Sequence, residues 1–242
     1  MKQMKFWTLT LLLLMGVSFS SCFDSDNGTD VDVLALVDVR HGYMGVGIEL
    51  VSDDGYTFNI ISAHNKYFED NTGNIVVKRC NVALKLAEGV TLSEETKNYS
   101  NVQVVDKVEW GLNDLTVPEH FEVQKGAPFL DLYETASFTK YINLQFDANT
   151  GKDTNFDSFM LYVDKYENNT VYLKLHHDEE DKELYGQARV LYSFNAPRKS
   201  YLEEKFPDFQ PLEGDSINVI VTADLAYETT KETKSFKAKL EY

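Results

Sequence analysis

Along the 242-residue chain, apolar residues do not recur at the 3.6-residue period of an amphipathic helix. They come in short runs of Val, Ile, Leu, Tyr and Phe, cut by Asn, Asp and Gly. Many of these runs alternate apolar with polar, which is the pattern of strands that bury one face. Val33–Val39, Met44–Leu50, Tyr56–Ser62 and Val102–Trp110 predict strands in the first half. Asp53-Asp54-Gly55 and Asn71-Thr72-Gly73-Asn74 supply turns, and Gly45 and Gly47 predict a bend or bulge. Thr91–Lys97 is expected to hold a helical turn, with Ser93 as its cap.

The second half alternates more cleanly. Ile142, Leu144 and Phe146 alternate with Asn143 and Gln145, and Phe159, Leu161 and Val163 precede a hairpin turn at Tyr166–Thr170. Ile217, Val219, Val221, Ala223 and Leu225 form one long inward face, and Phe236, Ala238, Leu240 and Tyr242 form another. A strand with one dry and one wet face belongs to an antiparallel sheet packed on a second layer. Ser200–Phe206, bounded by Pro197 and Pro207, predicts a helical turn. The chain changes character around 117–128, where Pro118, Gly126 and Pro128 interrupt any ladder. The expected fold class is therefore all-β. An OB-like small barrel over residues 33–124 is followed by an immunoglobulin-like antiparallel β-sandwich over 125–242.

The first 32 residues stand apart. Lys2 and Lys5 precede an apolar stretch from Phe6 to Val17, and Phe19-Ser20-Ser21-Cys22 then has the form of a lipobox. Residues 1–21 read as a lipoprotein signal peptide, with Cys22 as the acylated first residue of the mature chain. Residues 22–32 carry four Asp and a Gly and read as a solvated acidic tether. Acylation consumes Cys22, so Cys80 has no partner for an intramolecular disulfide, and in a strand-like run it reads as a small buried apolar residue. The expected location is the outer membrane, on its periplasmic side or at the cell surface.

Charge narrows the partners. With 23 Lys+Arg against 39 Asp+Glu, the net charge is −16, which repels phosphate backbones and excludes nucleic acid as a general ligand. Neutral glycans and basic proteins suit such a surface better.

The chemistry-bearing residues are sparse. His176-His177-Asp178-Glu179-Glu180-Asp181 holds metal-ligand types, with His176 and Asp178 the weak candidates. Neighbouring residues on a strand face opposite ways, however, so His176 and His177 do not readily share an ion. His41, His64 and His120 are scattered. No Gly-x-Ser-x-Gly elbow and no phosphate-cradling glycine loop occurs. Tyr56, Phe58, Tyr67, Phe68 and Trp110, with Phe121 and Phe129, are candidates for a face that stacks on sugars or peptides, against the plainer expectation that they are core. No metal, no cofactor and no catalytic residue is expected.

The lipobox and acidic tether, the strand Tyr141-Ile142-Asn143-Leu144-Gln145-Phe146 and the run Val171-Tyr172-Leu173-Lys174-Leu175-His176-His177-Asp178 together resemble the NigD-like lipoproteins. In that family the last segment commonly ends in Arg-His-Asn, so His176 stands where Arg is usual and Asp178 where Asn is usual. The resemblance implies an N-terminal OB-like barrel and a C-terminal β-sandwich. It brings no catalytic residues, and it ties the family name to a bacteriocin-linked operon. The leading expectation is a non-enzymatic, lipid-anchored envelope protein that binds a glycan, a peptide or another envelope protein. A bacteriocin-associated role in immunity or export is the alternative, and a hydrolase built from the many carboxylates is a lesser one.

Overall fold

A computed structural model of the chain describes residues 31–115, 127–133, 141–150, 158–178, 186–212, 216–225 and 231–239, with 216 and 231–239 described through the backbone. The contacts divide into two units between Trp110 and Gly111. The leader and most of the tether lie outside the described residues.

In the first unit β1 (Val33–His41), β2 (Ile48–Ser52), β3 (Thr57–Ile60), β4 (Arg79–Lys85) and β5 (Asn98–Glu109) close into a barrel in the order β1-β2-β3-β5-β4. The β3–β5 pairing is parallel and the other four are antiparallel. This is the strand order of an OB-type barrel. Closure depends on β5, which pairs first with β3 and then with β4. Its register shifts as Ser100 and Val102 face Asn59 and Ile60, and the residue skipped is Asn101, held at φ 58°. A bulge of this kind bends and twists a strand enough to wrap it around a small barrel.

Val37, Leu50, Phe58, Phe68, Val82, Leu84 and Val102 fill the interior and are wholly buried. Each such large apolar side chain contributes about 1.5–3 kcal/mol by leaving water. Cys80 is buried among them, and burial pushes its thiol pKa up to about 12, so it is an inert core residue. Asp32 belongs to the barrel rather than to the tether. Its N–H donates to Leu84 O at 2.9 Å, and its carboxylate accepts the Leu86 N–H at 2.9 Å.

The glycines displace one expected strand. The run predicted from Met44 begins as a 3-10 turn at Tyr43–Gly45, and β2 starts only at Ile48. Gly45 and Gly47 sit at φ 76° and 70°, a region that ladder residues do not occupy. Thr91–Lys97 holds bends rather than a helix, although Ser93 Oγ does accept the Glu95 N–H at 3.1 Å.

The second unit stacks two four-stranded sheets. One holds β6 (Gly111–Asn113), β11 (Gly186–Asn195), β8 (Tyr141–Thr150) and β7 (Phe129–Tyr133) in that order. The other holds β13 (Lys231–Lys239), β12 (Ser216–Asp224), β10 (Thr170–His177) and β9 (Phe159–Glu167). The shared core takes Ile142, Leu144, Phe146, Tyr192 and Phe194 from the first sheet, and Phe159, Leu161, Leu173, Val219 and Val221 from the second. The β9–β10 hairpin forms as expected, with Asn168 and Asn169 at φ 52° and 57°, the conformation a two-residue type I′ turn needs. The short helix α1 (Lys199–Lys205) seats Leu202 in the core, and Phe206 and Phe209 follow it against the Tyr166 ring.

Three features differ from the sequence expectation. The sheets are mixed, because β6–β11 and β10–β12 pair in parallel. Alternation within a strand reports burial, not the direction of its neighbour. Asn143, expected on a wet face, is 4% exposed and accepts a 2.7 Å hydrogen bond from the buried Ser193 hydroxyl. The division between units falls at Trp110–Gly111, ahead of the expected 124/125 boundary, because β6 already pairs with β11. Gly111 is required there, since a Cβ at that position would lie 2.2 Å from the Tyr192 ring. Residues 116–126, which hold most of the expected junction, lie outside the described residues.

Candidate functional site

Most of the barrel aromatics are core residues. Tyr56, Phe58, Phe68 and Trp110 are all buried, Phe58 and Phe68 completely. Tyr56, Phe58 and Tyr99 form a three-ring cluster with centroid separations of 6.3 Å (Tyr56–Phe58), 5.7 Å (Phe58–Tyr99) and 6.4 Å (Tyr56–Tyr99), and Lys97 Nζ caps the Tyr56 ring at 3.7 Å. A five-stranded barrel leaves no lumen once such rings point inward. Of the five leading candidates only Tyr67 presents its ring to solvent, packed edge-on against His64 at 5.3 Å. His64 is itself occupied, since Nδ1 accepts the Val104 N–H at 2.8 Å. Phe129 belongs to the sandwich core beside Phe146, and Phe121 and His120 lie outside the described residues.

The histidines on β10 face opposite ways, as strand geometry requires. His177 is wholly buried and stacks on Phe159 at 4.4 Å. His176 lies on the other face, 6% exposed, with Nε2 buried and lacking a hydrogen-bond partner. Desolvation pushes its pKa below the usual imidazole value, against the pull of the Asp178 and Asp224 carboxylates. Asp178 is exposed and gives its N–H to Ser158 O at 2.9 Å. Among the described residues no group of three His, Cys, Asp or Glu side chains is placed to hold a metal ion. Glu179, Glu180 and Asp181 lie outside the described residues.

Two further features had not been singled out from the sequence. The first is the Arg79 guanidinium, wholly buried and held by Asp38 Oδ1 at 2.8 Å and Asp53 Oδ2 at 2.7 Å. Asp38 faces Arg79 across the β1–β4 ladder and also takes Arg40 at 3.0 Å. A fully paired buried charge fixes register, and it is a structural element rather than a reactive one.

The second is the β1–β2 tip, Gly42-Tyr43-Met44-Gly45-Val46-Gly47. Tyr43, Met44 and Val46 are 88%, 84% and 78% exposed, the most exposed large apolar side chains among the described residues. The tip is nonetheless ordered by its own backbone. Gly42 N–H donates to Gly47 O at 3.0 Å, Gly45 N–H to Gly42 O at 2.9 Å and Val46 N–H to Tyr43 O at 3.3 Å. Met44 itself holds φ 59°. A Cβ at position 42 would lie 2.4 Å from Val46 O, so this turn needs its glycine. The sequence signal was present in the glycines at 42, 45 and 47, which forbid a continuous strand and leave the apolar residues between them without a core to enter. A second capped turn lies between Glu69 and Ile75, which form a bridge. There Asp70 Oδ1 accepts from the Thr72 hydroxyl and from the Thr72 and Asn74 N–H groups, which holds its carboxyl pKa at about 2.

An OB-type barrel joined to a mixed β-sandwich, its interiors packed with aromatic and aliphatic side chains, defines a two-module all-β protein. No protein-family profile and no curated protein matches the sequence. Solved structures do match the fold over nearly the whole chain. A candidate lipoprotein of Bacteroides fragilis superposes with a TM-score of 0.54 at 12% identity, covering 86% of this chain and 98% of that one. A candidate toxin-related protein of Parabacteroides distasonis gives 0.53 at 16% identity, covering 87% and 94%. A NigD-like immunity protein of Bacteroides caccae gives 0.50 at 16% identity, covering 85% and 93%. The resemblance to the NigD-like lipoproteins thus extends to a shared fold.

Proposed function

We infer that this chain is a lipid-anchored cell-envelope protein that acts by binding a partner rather than by catalysis. The observation that carries this reading is the lipobox ending at Cys22 followed directly by an acidic tether. A diacylglyceryl group on the thiol and an acyl group on the freed amine would hold the mature chain on the outer membrane, since each buried CH₂ contributes about 0.8 kcal/mol. The fold shared with a candidate lipoprotein supports the reading. No helix among the described residues is long and apolar enough to cross a membrane. A net charge of −16 favours a basic polypeptide or a neutral glycan as the partner. Mass spectrometry of the native amino terminus tests the anchor. An acylated Cys22 is expected, and an intact leader or an unmodified terminus sinks the reading.

A second reading is favoured by the shared fold with a NigD-like immunity protein and a toxin-related protein. In it the partner is a bacteriocin-like toxin, and the anchored chain intercepts it or assists its export. Deleting the gene and challenging the producer with its own secreted products separates the two readings. Sensitisation supports the toxin-linked role, and unchanged growth removes it.

A further inference from the structure

The three apolar side chains of the β1–β2 tip stand within four positions of one another on a closed turn, so their exposure is concentrated at one tip rather than scattered over the surface. From Gly42 to Ile48 the chain carries no charge. Arg40 and His41 lie at the base on one side and Glu49 on the other, and the tip backbone bonds to itself. An uncharged turn with three internal backbone hydrogen bonds, bearing Tyr, Met and Val, can leave water without stranding a charge. A tyrosine, with its apolar ring and polar end, suits the boundary between water and acyl chains.

The geometry of the barrel says which boundary is within reach. Asp32 is pinned to the end of β4, and β1 then runs 9 residues to the tip, a distance of about 30 Å. The chain from Cys22 to Asp32 has a contour of at most about 35 Å. An acyl group on Cys22 and the tip at the far end of β1 can therefore lie in one plane. For a tethered protein the bilayer is always within that radius, at an effective concentration on the order of millimolar, so a weak contact is enough. A soluble partner has no such advantage. The net charge of −16 opposes attraction to anionic lipid, which leaves apolar insertion as the force that would hold the contact.

We propose that the Gly42–Gly47 tip is a second, non-covalent membrane contact: Tyr43, Met44 and Val46 enter the interfacial layer of the bilayer that carries the acyl anchor. This rests on acylation at Cys22.

The test uses the acylated mature chain carrying Tyr43→Trp, reconstituted in vesicles of phosphatidylcholine and phosphatidylethanolamine. Trp110 is buried and serves as an internal reference. The indole introduced by Tyr43→Trp is expected to shift to the blue and to be quenched by phosphatidylcholine brominated near the headgroup end of its acyl chains. Adding Met44→Asp and Val46→Asp is expected to abolish both signals, with the circular dichroism unchanged because these side chains are exposed. A water-like emission from a chain shown by mass spectrometry to be acylated and vesicle-bound overturns the proposal. So does an indole that stays wet on protein-free vesicles yet is shielded in native envelopes, since the occupant is then a protein. If Cys22 proves unacylated, the anchor reading fails by itself, and flotation of the chain from Phe23 with the same vesicles still decides the tip. With lipid at the millimolar level that the tether would supply, Met44→Asp lowering the bound fraction at least tenfold supports insertion, and an absence of binding by the parent chain at that lipid concentration refutes it.

Discussion

In the barrel the Arg79 guanidinium is wholly buried between Asp38 and Asp53. In the sandwich the Arg189 guanidinium lies on the surface. There it contacts Asp147 Oδ1 at 3.0 Å, donates to the Tyr133 hydroxyl at 2.8 Å and stacks over the Tyr133 ring at 4.5 Å. The residue types match, but the dielectric differs. A surface pair exchanges water for a carboxylate at nearly equal free energy. A buried pair is neutral at best against an apolar replacement, yet removing one partner strands the others without solvent. Arg79 makes two such pairs and Arg189 one, but burial rather than number separates them. The barrel places a charged triad where the ladder must be in register for it to form, while the sandwich takes its specificity from interlocking rings and from the Asn143–Ser193 contact.

Arg79→Met is the sharpest way to break this contrast. It leaves Asp38 and Asp53 facing an apolar side chain and is expected to lower barrel stability by about 3–5 kcal/mol. Urea unfolding followed by Trp110 fluorescence reads the barrel, and hydrogen exchange of β8 and β12 amides reads the sandwich, which should be unaffected. A loss below about 1 kcal/mol would show that the triad is solvated. Gly111→Ala is the corresponding change in the sandwich. Its Cβ meets the Tyr192 ring at 2.2 Å, and the overpacking is expected to cost about 1–3 kcal/mol. The loss should appear in the exchange of β6 and β11.

Mild acidity gives a smaller effect in the sandwich. Because burial lowers the folded-state pKa of His176, the unfolded chain takes up its proton first as pH falls. The stability associated with a neutral His176 is present above the ordinary imidazole value of 6.5 and declines as pH drops below it. His176→Gln should flatten that slope in unfolding curves between pH 7 and 5, and an unchanged slope would place the titration elsewhere. Arg189→Ala is expected to shift the midpoint least, by under about 1 kcal/mol. The bond from Arg189 also holds the Asp147 carboxyl below its usual range. The variant should therefore mainly reduce the stability that is lost as pH falls through the folded Asp147 value. A larger effect at neutral pH would mean the surface network is stronger than its exposure implies.

What could be read along the chain was whatever depends on neighbours in sequence. The inward face of Ile217, Val219, Val221 and Ala223 was legible because period-2 alternation is local, and each of the four is buried. The Asn168-Asn169 turn was legible because those residues tolerate positive φ, and α1 because two prolines bound it. The candidate site was less legible. The ring-rich run around Tyr56 and Phe58 allowed ligand stacking beside the plainer expectation of core, and Met44 looked like the start of a strand.

The amino-acid order alone fixed the all-β class, the division into two modules, and the lipobox that motivates the anchor, because alternation, turn chemistry and a cleavage motif are written in adjacent positions. Tertiary structure decided which aromatics face the barrel interior, which strands pair in parallel, that Arg79 is shielded while Arg189 is wet, and that Tyr43, Met44 and Val46 stand in solvent. Each of these depends on which distant strand closes against which, and burial is a property of that closure rather than of any single run of residues.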